Sequence, residues 1–115
     1  MEKTKKTILL DLDGVLNDYS KGYEHEFIPP VRKDAVAFLE GLSKKFTIKL
    51  FTARQLTMAV RWVRENNLED YIDSVTNIKE PSWLIIDDRC IKFNGNYNQL
   101  LDDINEFEVW YKTPQ

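Results

Sequence analysis

Three short strand-like runs in this chain each break off at a reactive polar group. Thr7 to Leu10 runs into Asp11 and Asp13, Phe46 to Phe51 into Thr52, and Trp83 to Ile86 into Asp87 and Asp88. Short apolar or alternating runs of this kind, bounded by turn formers, read as strands buried in a sheet. Between them the spacing changes to that of helices. Ala35, Phe38, Leu39 and Leu42 follow the i, i+3, i+4, i+7 rule and predict a helix over about 31–43. Leu56, Ala59, Val60 and Val63 predict a second helix, frayed at Asn66-Asn67, and Tyr97, Leu100, Leu101 and Ile104 a last one. Tyr71 to Val75 reads as a short strand, and Phe107 to Tyr111 alternates like an edge strand. Strands alternating with helices imply parallel crossovers and a three-layer α/β sheet.

Size and composition narrow the class further. A chain of 115 residues can bury about two-thirds of its unfolded surface, enough for one core and too little for two. A single domain over residues 1–115 is expected. Hydrophobic residues at 43% against charged residues at 30% argue against disorder. Sixteen Lys plus Arg against 19 Asp plus Glu leave a net charge of −3, so a nucleic-acid partner is not expected. No apolar run approaches the roughly 20 residues of a membrane helix, and the basic start lacks a signal-peptide core. No membrane partner is expected, and the cytoplasm is the expected location. Cys90 is the one cysteine and His25 the one histidine. Together they exclude an internal disulfide framework, a multi-cysteine zinc site and a histidine cluster, and they disfavour a serine–histidine triad. Neither residue has a clear chemical role. Trp62, Trp83 and Trp110 read as core or rim.

Chemistry is left to carboxylate, threonine, lysine and arginine. In an open α/β sheet, ligands bind outside the carboxyl ends of the strands, and those ends carry the polar residues here. Asp11 and Asp13 are two apart, so an extended chain points both one way and Leu12 the other. Gly14 then permits a sharp turn. Asp-rich turns are common, but an apolar strand directly before this one weighs against a plain loop. Four carboxylates on one edge repel, and their pKa values rise unless a cation neutralises them. Mg²⁺ suits such oxygen donors, while ligands for softer metals are nearly absent. Lys79, taken alone, is an ordinary exposed lysine, and Thr52 stands where a helix would start. Arg54 and Arg89 fall near the same edge, as substrate contacts or as surface ion pairs. Residues 14–30, closed by Pro29-Pro30, are long for a strand-to-helix loop, and such loops are usually functional.

The ordered set resembles the haloacid dehalogenase (HAD) superfamily of phosphotransferases. ILLDLDGVL is similar to its first motif, FTIKLFT to its second, Lys79 to the lysine of its third and LIIDDR to its acidic fourth. FTAR, Lys79, Pro81 and IDDR more narrowly resemble small bacterial and phage proteins described as capsule-biosynthesis phosphatases or uncharacterised hydrolases. The resemblance spans about residues 7–95. It implies a three-layer Rossmann-like fold with about five parallel strands in the order 3-2-1-4-5. It also implies no cap domain, with residues 14–30 forming only a flap.

The implied activity is Mg²⁺-dependent hydrolysis of a phosphate monoester through an aspartyl phosphate. Asp11 would be the nucleophile, and Asp13 the general acid and then the base. Thr52 and Lys79 would hold phosphate oxygens. Asp87 would bind Mg²⁺ with Asp11 and the backbone carbonyl of Asp13, and Asp88 would support the metal through water or orient Lys79. Tyr19, Tyr23 and Glu24 are the flap residues expected to touch substrate, with Arg54 and Arg89 beside them. One departure is Glu80 between Lys79 and Pro81, where the narrower group commonly has proline directly after lysine. The substrate class is a small phosphorylated molecule or a phosphorylated macromolecule, and a homo-oligomer is compatible with the sequence. Two other readings stand beside this one. A receiver-like phospho-acceptor shares the length, Mg²⁺, Thr and Lys, but carries its adjacent acid pair on the first strand rather than a late one. A non-catalytic binding protein on the same scaffold would not need a complete motif set.

Overall fold

Ile8, Leu9 and Leu10 are all buried, so both faces of the first strand are covered, as a continuous apolar run requires. The computed structural model describes residues 5–111. Its elements are β1 (Lys6–Asp11), α1 (Lys33–Ser43), β2 (Phe46–Phe51), α2 (Leu56–Glu65), β3 (Ser74–Thr76), β4 (Leu84–Ile86) and α3 (Tyr97–Glu106). The sheet is parallel throughout, in the order β3-β2-β1-β4. Leu10 is in register with Leu50 on one side and Ile86 on the other. That register brings Asp11, Thr52 and Asp87 to one edge.

The chain steps from β1 to β2 to β3 in one direction, so right-handed crossovers place α1 and α2 on the same face. One apolar cluster joins Leu10, Ile48 and Leu50 of the sheet to Ala35 and Leu39 of α1 and to Ala59, Trp62 and Val63 of α2. Lys49, between Ile48 and Leu50, points to the opposite face, where its Nζ pairs with Glu80 at 3.0 Å. Residues 77–83 therefore return across that face from β3 to β4. Trp83 ends the crossing by donating its N–H to the Thr7 carbonyl at 2.8 Å and stacking on Phe46.

Several expectations need correction. The sheet has four strands among the described residues, not five, so the order ends at β4. Phe107 to Tyr111 is no edge strand. Its end is drawn instead to the turn after β1, where Trp110 Nε1 donates to the Gly14 carbonyl at 2.6 Å. Among the described residues the third layer is also missing. Seven residues between β3 and β4 are too few for a helical crossover, which needs at least about ten. The remaining helix, α3, has no buried residue and packs against no other element. The third strand lies at Ser74–Thr76 rather than 71–75, because Tyr71 and Ile72 turn back to donate to the Leu68 carbonyl at 3.0 and 3.1 Å. The first helix begins at Lys33. Before it, the Val31 N–H is held by Asn66 Oδ1 at 3.1 Å.

The 14–30 segment contains no helix, and an isolated bridge between Asn17 and Val31 pins its two ends. Among the described residues no helix is long and apolar enough to cross a membrane.

Candidate active site

A cleft of about 520 Å³ lies over the carboxyl ends of β1, β2 and β4. The turn after β1 contributes Asp11 and Asp13, the turn after β2 contributes Thr52 and Arg54, and the turn after β4 contributes Asp87, Asp88 and Arg89. Tyr19 and Tyr23 of the flap complete the wall. The strand-to-turn switch at Asp11 works because Leu12 drops into the core, fully buried, while Gly14 takes a φ of +83° that side chains rarely adopt. The Leu16 N–H then closes the turn on the Leu12 carbonyl at 2.9 Å.

One side of the cleft gathers three carboxylates, with Arg89 at its edge. Asp11, Asp87 and Asp88 each offer a carboxylate oxygen, all within 4.8 Å of one another. Burial, the hydrogen bond with Asp88 and the charges of Asp87 and Asp88 push the Asp11 carboxyl up to about 9. Burial also raises Asp87, against the pull of the Arg89 N–H bonded to its Oδ1 at 2.9 Å. Asp88 moves the other way: burial opposes its charge, but the hydrogen bonds from Asp11 and Tyr111 hold it below the usual carboxylate range. Without a cation, the cluster keeps a proton on Asp11 and directs it at Asp88. The donor set is three carboxylates with no imidazole or thiolate among them, which is the chemistry of a hard divalent cation such as Mg²⁺.

The other side already has its cation. Arg54 Nε and Nη2 donate to the two oxygens of Asp13 at 2.7 and 3.0 Å. The two side chains are 2% and 15% exposed, so this is a buried, bidentate pair. Arg54 Nη1 also reaches the Glu24 carbonyl at 2.8 Å, and its guanidinium lies 4.9 Å over the Tyr23 ring. Burial works against the guanidinium charge, but Asp13 outweighs it and raises the Arg54 pKa. Asn17, fully buried, binds Asp13 Oδ1 through Nδ2 at 3.1 Å and accepts the Gly14 N–H at 3.0 Å.

The expected residues fall unevenly around this cleft. Asp11, Asp13, Thr52, Asp87 and Asp88 meet there, with Arg54, Arg89, Tyr19 and Tyr23. The Asp13 carboxylate belongs to Arg54, not to the acidic cluster. Thr52 is buried, but α2 starts only at Leu56, so it is not the helix cap. Its Oγ1 accepts the Arg54 N–H at 3.1 Å and shapes the turn that presents Arg54. Lys79 is exposed after β3 and is not among the lining residues. Its charge is felt instead at Cys90, beside the acidic cluster. Glu24 serves through its backbone carbonyl. His25 is exposed, with Nδ1 at 3.3 Å from the Tyr23 hydroxyl, and Cys90 is an exposed free thiol.

Sequence reasoning missed Asn17, Trp110 and Tyr111. The one sign of Asn17 was its place four residues after Asp13, where a tight turn returns the chain. The Tyr111 hydroxyl donates to Asp88 Oδ2 at 2.5 Å, a contact that no local pattern marks.

Comparison with protein-family models, with curated proteins and with solved structures found no match to this chain.

Proposed function

We propose that this chain is a Mg²⁺-dependent phosphatase of the haloacid dehalogenase type, hydrolysing a phosphate monoester through an aspartyl phosphate on Asp11. The observation that carries the reading is the meeting of Asp11, Asp13, Thr52, Asp87 and Asp88 in one cleft. These residues come from three motifs that the sequence keeps far apart. Asp11 and Asp87, supported by Asp88, would hold Mg²⁺. Bound there, the ion would neutralise the carboxylates and the charge of an incoming phosphate.

The chain's own residues then divide the reaction. An Asp11 oxygen attacks phosphorus, the bond to the leaving alkoxide breaks, and Asp13, entering the step in its protonated form, hands that alkoxide its proton and is left as the carboxylate. Water next attacks the phosphoaspartate, Asp13 takes the water's proton, and phosphate leaves with the Asp11 carboxylate restored. Arg54 orients Asp13 through its two parallel bonds and is the buried cation lining the cleft. The substrate is a phosphorylated small molecule or macromolecule that enters without a cap domain, past Tyr19 and Tyr23. The single free cysteine supports a reducing cytoplasm as the place of action.

The test is a screen of phosphate monoesters with Mg²⁺, comparing wild type with Asp11→Asn, followed by intact-mass spectrometry after rapid quench. Multiple turnover by wild type, with both turnover and adduct absent in Asp11→Asn, is the expected result. A long-lived adduct on wild type without turnover would support the receiver-like reading instead. No adduct and no turnover on any monoester would leave the binding-protein reading.

A further inference from the structure

We infer that the C-terminal segment is a working part of the cleft, in which Tyr111 is a positioning residue that aims Asp88 at a divalent cation. The inference rests on the reading that Asp11, Asp87 and Asp88 hold such a cation.

The segment is not where it is because of its helix. α3 buries none of its residues and exposes Tyr97, Leu101 and Ile104. Beyond it, Trp110 and Tyr111 are tied down by specific contacts. Trp110 Nε1 bonds the Gly14 carbonyl, and the Arg32 guanidinium lies 4.9 Å over the Trp110 ring. The Tyr111 hydroxyl bonds Asp88 Oδ2, and its ring meets Tyr19 edge-on at 5.9 Å.

Gly14 shows how tightly these parts meet. A Cβ built there would collide with Asp88 Oδ2 and would lie 2.7 Å from Tyr111 Cε1. The turn after β1, the acid after β4 and Tyr111 therefore share one packed point. Only a glycine fits there.

The chemistry of the contact suits orientation, not neutralisation. A tyrosine phenol, with an ordinary pKa of about 10, is a neutral donor near neutral pH. A neutral donor fixes one carboxylate oxygen and leaves the negative charge available to a cation. Arg54 does the reverse to Asp13, which it pairs and neutralises. Outer-shell partners of this kind hold ligands in place, and losing one typically costs 10–100-fold in metal affinity.

The experiment measures Mg²⁺ binding to the full chain by calorimetry and by Mg²⁺-dependent melting, without substrate. Tyr111→Phe should bind Mg²⁺ about 10-fold or more weakly, while Tyr97→Phe, which removes an exposed phenol elsewhere, should match wild type. Because Tyr111 acts through Asp88, adding Tyr111→Phe to Asp88→Asn should cost no further affinity. That comparison holds even where Tyr111→Phe lowers the metal-free melting temperature. Wild-type affinity in Tyr111→Phe, or losses that add in the double variant, would overturn the inference and leave the cation site standing. A wild-type chain that binds no Mg²⁺ would overturn both.

Discussion

On one side of the cleft Asp13 faces Arg54 at 2.7 Å. On the other, Asp11, Asp87 and Asp88 face one another within 4.8 Å, and burial and their mutual repulsion raise the Asp11 carboxyl. The same side chain is used in both places, at the ends of neighbouring strands. The difference lies in what the next strand's turn delivers. The turn after β2 carries an arginine whose fork matches a carboxylate. The turn after β4 carries two more acids. A built-in cation holds the first side's carboxylate in place. On the proposed reading a bound metal would play that part on the second side, because like charges that converge favour a proton or a metal.

The largest effect should come from removing the carboxylate of the paired side. Asp13→Asn keeps the shape and loses the proton relay, so kcat/KM for an unactivated monoester should fall by about 10²–10⁴-fold. With an activated aryl phosphate the variant should still load Asp11, and quench-flow mass spectrometry should find the adduct accumulating. An adduct mapped to Asp87 or Asp88 would reverse the roles of the two sides.

A smaller effect falls on stability. Arg54→Ala strands the nearly buried Asp13 carboxylate without its partner and should cost about 3 kcal/mol in urea unfolding. Asp87→Asn relieves repulsion in the metal-free protein and should cost little or raise the melting temperature. If both variants lost equal stability, the contrast between a paired side and a repelling side would be wrong.

A further effect is in pH. Asp11 titrates at about 9 in the folded chain against an ordinary value of 3.8. The folded state therefore holds more protons than the unfolded one between these values, and its stability falls as pH rises through that window. Asp87 is shifted in the same direction and Asp88 in the opposite one. Metal-free melting temperatures should decline from pH 5 to pH 9, and Asp11→Asn should flatten the decline. A rising curve would place the proton elsewhere.

Much of this was legible in residues that are close in sequence. The turn at Gly14, the apolar runs and the acids that end them follow from local rules, and the parallel sheet follows from their alternation. The fifth strand was misread for a physical reason. Alternation in Phe107 to Tyr111 does not by itself supply a neighbouring strand, and the partners that Trp110 and Tyr111 find are a carbonyl and a carboxylate instead. Lys79 stood in the right order and is nonetheless exposed outside the cleft lining.

By itself, then, the sequence determined four strands, two packed helices and the edge on which the acids gather. Periodicity of 2 or 3.6 and a glycine at positive φ are properties of adjacent residues. Tertiary structure alone decided the partners. Asp13 and Arg54 are 41 residues apart, and Trp110 and Gly14 are 96 apart. Nothing in a local pattern specifies such pairs. They form where packing leaves a buried charge or carbonyl that must be satisfied, and that is known only once the strands have been laid side by side.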